Sequence, residues 1–142
     1  TLDLSADRPV VDHCGKCTRC LDACPTQAFV APHVLDARKC VSYWTIEAKT
    51  SPPQELAGHF SQNLFGCDIC QDVCPWNQKA RRQGHYANGT PTPPSTPRSF
   101  DLRELIALPV EVVESRIAGT ALERAGAQRL KENAKFLLEG EP

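Results

Sequence analysis

Apolar residues follow a helical period most clearly near the C-terminal end of the chain. Leu130, Ala134, Leu137 and Leu138 recur on one face of a helix, and Gly140 stands where glycine commonly ends one. Charged residues occupy the other faces of the same stretch. The pattern therefore predicts an amphipathic helix that buries one side.

Capping signals before this helix predict two or three shorter ones. Asp101 and Glu104 fit a capping box in front of LRELIAL, and Pro109 fits the first turn of a second helix. Thr120 and Glu123 form another box. Because their apolar stripes are narrow, such helices bury little alone. We expect them to begin a layer on which further helices pack.

Upstream of residue 79 the apolar periodicity gives way to a repeated cysteine pattern. All eight cysteines precede position 75. CTRCLDACP and CDICQDVCP share the frame C-x-x-C-x-D-x-C-P, with Cys17 of the first matching Cys67 of the second. We expect the aspartates at the matching positions, Asp22 and Asp72, to be helix or turn residues rather than ligands.

Three kinds of site use cysteines in such numbers. Disulfides suit a secreted chain, but these cysteines are tightly grouped and no signal-peptide pattern precedes them. Zinc sites take two ligands from each of two C-x-x-C knuckles, whereas here a third cysteine follows, and then C-P. CGKCTRCLDACP is instead the bacterial ferredoxin box. The spacing therefore favours a pair of [4Fe–4S] clusters.

The spacing also divides the cysteines between two clusters. Three thiolates on a tight loop bind different irons of one cube. The chain then turns into a helix that begins with proline, and the fourth thiolate faces the other cube. The second box has only two cysteines before its crossing one, which leaves one cysteine, Cys40, for the vacant position. We therefore predict that cluster 1 is bound by Cys14, Cys17, Cys20 and Cys74, and cluster 2 by Cys24, Cys40, Cys67 and Cys70.

These patterns predict an α+β chain that is small and mostly irregular or helical. We expect a lead-in over residues 1–13, a bacterial dicluster ferredoxin-like domain over 14–78, a proline-rich basic linker over 79–99 and a helical tail over 100–142. The residues expected to form an apolar jacket around the clusters are Val30, Val34, Leu35, Val41, Phe65, Ile69 and Trp76.

Charge is distributed unevenly, although the formal net charge is only −1. Residues 79–100 contain four Lys and Arg residues and no acid. Such a strip is typical of a solvated loop, and it also fits a contact with phosphate. Arg81 and Arg82 are our candidate nucleic-acid contacts.

Targeting signals are missing from the sequence. No 18-residue apolar run and no basic segment followed by an apolar stretch is present. We therefore expect a cytoplasmic monomer without membrane attachment. Because the chain starts at Thr1 and contains no Met, we also expect it to be a domain cut from a longer protein.

The segment between the boxes carries a resemblance to a known family. LDARKCVSYWTIE, the proline-bearing spacer SPPQEL and NLFGCDICQDVCPWN resemble epoxyqueuosine reductase, a cobalamin-dependent iron–sulfur enzyme of the tRNA queuosine pathway. The resemblance covers roughly residues 11–78. In addition, RIAGTALERAGAQRLKENA is similar to the segment that opens the family's HEAT-like helical repeats.

The resemblance implies an oxidoreductase that reduces epoxyqueuosine to queuosine in tRNA. Electrons would pass one at a time through two [4Fe–4S] clusters to a cobalamin, and the family's ligand pattern gives the same two sets of cysteines. Ser42 and Asp68 stand beside ligands and are our candidate cobalamin contacts, with capping and turn hydrogen bonds as their alternative role. The family's cobalamin domain and catalytic acid precede the boxes and have no match here. We therefore expect this chain alone to relay electrons without reducing the epoxide.

The implied partners are tRNA and an electron donor protein such as a flavodoxin or a ferredoxin. Two other functions fit the same cysteines: a free-standing dicluster ferredoxin-like carrier, and the cluster domain of a corrinoid-dependent reductive dehalogenase. The S-Y-x-T-I-E and C-P-W-N motifs favour the reductase over the dehalogenase. A cobalamin domain in the same reading frame would favour it over the free-standing carrier.

Overall fold

The N-terminal and C-terminal portions of the chain differ in how much apolar surface they bury. The computed structural model describes residues 5–9, 11–60, 63–82 and 100–139. Among these residues, eight buried apolar side chains lie after residue 100 and only four lie before residue 61. The cysteine-bearing portion therefore has the smaller apolar core, and its cohesion depends on something besides burial.

Regular elements are short throughout the described residues. Their bounds, in chain order, are α1 Arg19–Ala23, β1 Phe29–Ala31, β2 Val34–Leu35, α2 Ile69–Asp72, α3 Pro75–Arg82, α4 Leu102–Ala107, α5 Val110–Ile117 and α6 Gly126–Glu139. One π-helical turn spans Tyr43–Glu47, and 3₁₀ turns span Ala37–Lys39, Gln54–His59 and Ala121–Arg124. The small, mostly helical and irregular fold with one two-stranded hairpin confirms the predicted fold class.

The internal repeat of the sequence is also a repeat of backbone structure. Thr18, before α1, and Asp68, before α2, have nearly the same backbone angles, with φ and ψ of −116° and 7° against −112° and 12°. The carbonyl of each accepts the N–H groups of the residues three and four positions ahead, at 2.8–3.0 Å. Helices α1 and α2 pack against each other. The two cysteine boxes therefore meet through equivalent helical turns.

The two boxes differ in the structure that comes after their C-P pair. Pro75 begins α3, as predicted for the residue after the crossing cysteine. The helix expected after Pro25 is wrong: Cys24 is extended, Gln27 donates its N–H to the Cys24 carbonyl at 3.1 Å, and Gln27 has a φ of 49°. This left-handed residue reverses the chain and directs it into an antiparallel hairpin, in which Phe29 pairs with Leu35.

The three C-terminal helices form a core of their own. Leu105 of α4, Val113 of α5, and Leu130 and Ala134 of α6 are buried together, which confirms the predicted apolar face of the last helix. The Asp101 side chain accepts the Glu104 N–H at 2.7 Å, as the capping box predicted.

Pro109 and Thr120 also lie at the starts of helical segments, with small differences from the prediction. Pro109 is the N-cap of α5 rather than a residue of its first turn. The Thr120 hydroxyl accepts the Leu122 N–H at 3.2 Å, in front of a 3₁₀ turn. Gly140, the predicted end of the last helix, lies outside the described residues.

The helical tail packs on the segment between the cysteine boxes. Val41, Phe60 and Leu137 form a second buried group, and Leu64 contacts both this group and the core of the tail. The rings of Phe60 and Phe136 meet edge to face, with centroids 5.2 Å apart. Helix α3 continues to Arg82, which is past the start of the predicted linker at residue 79; positions 83–99 lie outside the described residues.

The predicted apolar jacket is partly wrong. Val41 is buried, and Phe65 and Ile69 are half-buried. Val30 and Val34 lie on the short hairpin and are exposed, although α1 packs on β1. The exposed Leu35 and Trp76 border cysteine-lined cavities. Among the described residues, no helix is both long and apolar enough to span a bilayer.

The tail core predicts a large cost for truncating its central leucine. Leu130 is fully buried, so Leu130→Ala should lower the free energy of unfolding by about 2–5 kcal/mol through lost burial and the cavity left behind. Val112→Ala, at a position that is 39% exposed on α5, is the control and should change it by less than about 1 kcal/mol. Denaturant unfolding of the metal-loaded protein, followed by far-ultraviolet circular dichroism, measures both. Equal effects would contradict the assignment of this core.

Candidate metal centres

None of the eight cysteines forms a disulfide. Cys14 and Cys17 are exposed, and the other six are half-buried. They come from three segments: the first box with α1, the second box with α2, and the segment between them, residues 26–66, here called the insert, which contains Cys40. Since α1 and α2 pack together, the fold brings these segments into one region.

Five of the cysteines line one cavity, here called cavity 1. Its volume is about 410 Å³. Loss of hydration, then repulsion from the Asp12 carboxylate and from the Cys20, Cys74 and Cys17 thiols, raises the pKa of Cys14. The lining residues are His13, Cys14, Cys17, Arg19, Cys20, Phe29, Cys70, Gln71, Cys74, Pro75 and Trp76.

A narrower cavity, here called cavity 2, lies beside the first. Its volume is about 30 Å³, and its lining residues are Cys24, Pro25, Thr26, Ala28, Phe29, Leu35, Cys40, Val41, Cys67, Ile69 and Cys70. Cys70 borders both cavities. Partial burial raises the pKa of Cys70, the Gln71 side chain lowers it, and the Cys67, Cys40 and Cys24 thiols raise it further. These three neighbouring thiols all line cavity 2, which favours cavity 2 for Cys70.

The donor set fits iron–sulfur clusters better than single zinc ions. Zinc with four thiolates at about 2.3 Å holds its sulfurs about 3.8 Å apart. Within the described residues, the only three Cys, His, Asp or Glu side chains whose ligand atoms all lie within 4.8 Å of one another are Asp12, Cys14 and His33. No three cysteines come that close, whereas a cube that spreads four irons needs wider sulfur spacing. The thiolate chemistry and the spacing both suit [4Fe–4S] clusters.

Hydroxyl groups of the insert fix the backbone beside Cys67. The Ser42 hydroxyl accepts the Cys67 N–H at 2.9 Å and lies 3.3 Å from the Cys67 carbonyl, to which it donates. The buried Thr45 hydroxyl donates to the Val41 carbonyl at 2.8 Å and accepts the Gly66 N–H at 3.0 Å. Gly66 has a φ of 73°, a left-handed conformation that glycine adopts without strain. The S-Y-x-T motif thus joins the Cys40 and Cys67 segments.

The Cys24 sulfur lies in a group of hydrogen-bond donors. It accepts the Ala28 N–H at 3.2 Å and is 3.7 Å from the buried Thr26 hydroxyl. Partial burial acts to raise the pKa of Cys24, but these bonds, with the N–H groups of Thr26 and Phe29, lower it below its ordinary value. Cys67 shows the opposite result, since partial burial and the nearby Cys40 and Cys24 thiols outweigh the Ile69 N–H and raise its pKa. The hydrogen bonds to its sulfur therefore favour the thiolate form of Cys24.

An aromatic contact closes one side of cavity 1. The Trp76 indole N–H donates to the His13 carbonyl at 3.4 Å, and the two rings are 5.2 Å apart. The Lys79 ammonium lies 5.8 Å from the centroid of the Trp76 ring, within cation–π range. Asp12 accepts the Cys14 N–H at 2.8 Å, and this bond contributes most to lowering the pKa of Asp12. The residues before the first box are therefore fastened to α3 and to Cys14.

The other predicted site residues lie in different settings. The hydroxyl of Ser42 is engaged with Cys67, which matches the hydrogen-bonding role considered for it. Asp68 is exposed at the start of α2, and its side chain makes no capping bond. Arg82 is exposed at the end of α3, and the Arg81 side chain lies outside the described part of the chain.

Several residues of the site were not anticipated from the sequence. Phe29 borders both cavities, and Thr26 reaches the Cys24 sulfur. Arg129 and Asn133 of α6 are buried polar residues whose partners lie in the insert. The position of Thr26 just after C-P was an available local signal. The pairing of α6 with the insert spans more than sixty residues and leaves no periodic signal.

Comparisons with known proteins agree with this geometry. A family model described as a 4Fe-4S double cluster binding domain matches residues 13–77. Over 136 residues the chain is 43% identical to an epoxyqueuosine reductase of Cellulophaga algicola, an alignment that covers 96% of this chain and 44% of that protein. The chain thus spans less than half the length of this curated relative.

Solved structures extend the similarity to the fold. A crystal structure of selenomethionine-labelled epoxyqueuosine reductase matches with a TM-score of 0.76 and 30% identity, over 96% of this chain and 35% of that chain. A crystal structure of epoxyqueuosine reductase with an epoxyqueuosine-modified tRNA-Tyr stem loop matches with a TM-score of 0.71 and 28% identity, over 96% and 35%. Both matches include the helical tail as well as the cysteine-bearing portion.

The Thr26 contact predicts a selective change in one reduction potential. Thr26→Val removes the hydroxyl near the Cys24 sulfur, so the added electron of the reduced state is stabilised less. The potential of the cluster at cavity 2 should fall by about 20–40 mV, corresponding to roughly 0.5–1 kcal/mol. Redox titration followed by electron paramagnetic resonance measures it. Thr26→Ser keeps the hydroxyl and should stay near the wild type; an unchanged or higher potential in Thr26→Val would contradict the assigned role.

Proposed function

We propose that this chain, a homologue of epoxyqueuosine reductases that carries a 4Fe–4S double cluster domain, is an electron relay that holds two [4Fe–4S] clusters and passes electrons to a cobalamin. The observation that carries the proposal is the adjacency of cavities 1 and 2, which share Phe29 and Cys70 as lining residues. Two centres separated by one layer of side chains suit one-electron transfer between them.

The proposed ligand sets follow the two cavities. Cys14, Cys17, Cys20 and Cys74 would bind cluster 1, and Cys24, Cys40, Cys67 and Cys70 would bind cluster 2. When bound, the clusters supply reversible one-electron carriers. The chain's own contribution is to hold eight thiolates in place, to donate N–H and hydroxyl groups to the Cys24 sulfur, and to limit water with Phe29, Val41 and Ile69.

The acceptor and the overall reaction are proposed by analogy with the longer relatives. In the proposed setting, a cobalamin is held mainly by a region outside this chain, and the full enzyme reduces epoxyqueuosine to queuosine in tRNA. Asp68, exposed beside Cys67, and Ser42 are the proposed contacts of this chain with the cobalamin. The role of this chain is electron delivery, and we assign no catalytic residue to it.

The helical tail supports the reductase over a free-standing ferredoxin-like carrier. A carrier needs only the cluster-binding portion, yet the similarity to the Cellulophaga algicola reductase covers 96% of this chain. The tail also packs on the insert through Val41, Phe60 and Leu137. The similarity and the packing both tie the tail to the cysteine-bearing portion.

A tRNA contact is proposed for the basic end of α3. The related reductase structure contains a tRNA stem loop. Here Lys79 and Arg82 are exposed on α3, and the sequence adds Arg81 and Arg98 without an intervening acid. Such a strip suits the phosphate backbone. The electron donor is proposed to be a flavodoxin or a ferredoxin.

Replacing Cys40 tests the ligand scheme and the relay together. Anaerobically reconstituted wild-type chain should bind about eight irons and accept about two electrons. Cys40→Ala should retain about four irons, lose the signal of cluster 2 and accept about one electron, because only cluster 2 loses a thiolate. Iron analysis and a reductive titration followed by electron paramagnetic resonance measure these quantities. Full iron content in Cys40→Ala, or stoichiometric zinc in the wild type, would refute the scheme.

Charge reversal tests the proposed tRNA contact. The double variant Arg81→Glu, Arg82→Glu should weaken tRNA binding by about tenfold or more and reduce the salt dependence by about two phosphate contacts. Binding titrations at several salt concentrations measure both effects. Arg103→Glu, at an exposed position of α4, is the matched control and should have little effect. If the double variant binds like the control, these arginines only solvate the end of α3 and do not contact tRNA.

A further inference from the structure

Helix α6 carries two buried polar side chains on the face that meets the insert. Asn133 is 5% exposed and Arg129 is 8% exposed. Burial of an amide and a guanidinium is unfavourable unless their donors are satisfied. Here the partners are main-chain carbonyls of the insert, so α6 holds this segment by directed hydrogen bonds as well as by apolar packing.

Asn133 bridges two parts of the insert. Its amide nitrogen donates to the Thr45 carbonyl at 2.9 Å and to the Leu64 carbonyl at 3.0 Å. Thr45 lies in the π-helical turn that follows Cys40, and Leu64 lies shortly before Cys67. The Asn133 side chain therefore fixes the distance between the backbone that follows Cys40 and the backbone that precedes Cys67.

Arg129 fixes the end of the same turn. Its guanidinium donates to the Thr50 carbonyl at 3.2 Å and to the Ala48 carbonyl, and it lies 3.4 Å from the Glu132 carboxylate. Carbonyls at a helical C-terminus lack partners within the helix. Arg129 therefore supplies the donors that end the π-helical turn in a defined position.

The hydrogen bonds continue from these carbonyls toward the thiols of cavity 2. Thr45 also holds Gly66 through its hydroxyl, and Ser42 holds Cys67. The Cys40 carbonyl accepts the Trp44 N–H at 3.2 Å at the start of the turn. The path from α6 thus ends at Cys40 and Cys67, two of the four thiols of cavity 2.

Most thiols of cavity 1 are held by other elements. Cys14, Cys17 and Cys20 lie in or just before α1, which packs on α2 and β1. Helix α6 instead packs on α4, α5 and the turns over Tyr43–Glu47, Gln54–His59 and Ala121–Arg124. A disturbance at Asn133 should therefore reach the two cavities unequally.

We propose that Asn133 and Arg129 are positioning residues for cluster 2, acting through the backbone of the insert on Cys40 and Cys67. The proposal rests on the ligand sets given above. It makes the helical tail a part of the frame of one cluster, in addition to any role in binding a partner. Loss of either side chain should loosen cluster 2 while leaving cluster 1 nearly unchanged.

The test follows the release of iron from each cluster in the full chain. Asn133→Asp has nearly the same shape but replaces the donor with an acceptor that faces two carbonyls. Under anaerobic conditions an excess of ferrous chelator should remove iron from cluster 2 at least about tenfold faster than in the wild type. The phase belonging to cluster 1 should change by less than about twofold. Subtracting the absorption spectrum of Cys40→Ala from that of the wild type gives the spectrum of cluster 2. This difference spectrum identifies which kinetic phase of iron release belongs to each cluster.

Two further variants separate positioning from general stability. Lys135→Ala, at an exposed position on the same helix, is the matched control and should release iron like the wild type. Arg129→Lys keeps the charge and part of the hydrogen bonding, so its cluster 2 should be released at an intermediate rate. If Asn133→Asp fails to fold, Arg129→Lys provides the test instead. Its circular dichroism should have the wild-type amplitude, which would show that it is folded.

The outcomes distinguish this inference from the ligand scheme. Faster release from cluster 2 alone supports the positioning role. Equal acceleration of both clusters, or none, in a folded variant would overturn it while the relay proposal stands. A wild-type chain with only about four irons would instead overturn the ligand scheme, and this inference with it.

Discussion

Eight thiols converge in one region of a chain that buries little else there. Loss of hydration, and after it repulsion from neighbouring negative groups that include the other thiols once ionised, raises the pKa values of Cys14, Cys67 and Cys70. Bound iron reverses this repulsion because it requires the thiolate form. Only four apolar side chains before residue 61 are buried among the described residues. Metal binding and folding of this portion are therefore one process, and the rest of the structure is arranged to keep the thiols near each other.

The insert between the boxes has two functions that depend on each other. It supplies Cys40, and it forms hydrogen bonds with both the second box and α6. The Ser42 and Thr45 hydroxyls bind the backbone at Cys67 and Gly66, and α6 binds a carbonyl of the π-helical turn. A π-helical turn leaves carbonyls without local partners, and such turns occur frequently at functional sites. In this chain those carbonyls are the attachment points of the tail. The tail and the cluster-binding portion therefore share one framework.

The sequence was informative where structure follows from local chemistry. Capping at Asp101 and the apolar face of α6 both depend on residues a few positions apart, and both are observed. The helix expected after Pro25 failed because the left-handed Gln27 favours a hairpin, and glutamine gives no signal for that conformation. The sequence did not predict the burial of Asn133 and Arg129. A polar residue on an amphipathic helix is normally assigned to the solvent-exposed face, and here the buried partners are distant in the sequence. Thr26 and Phe29 owe their roles to the position of Cys24, which the spacing alone did not give.

Interleaving of the thiols along the chain has a consequence for biogenesis. During synthesis Cys14, Cys17, Cys20 and Cys24 leave the ribosome well before Cys67, Cys70 and Cys74, so neither cavity is complete until the second box has emerged. Until then four closely spaced thiols are open to oxidation or to binding a wrong metal. The first cube delivered would bring both boxes together and so prepare the second cavity. The second cube is therefore expected to enter this chain faster than the first.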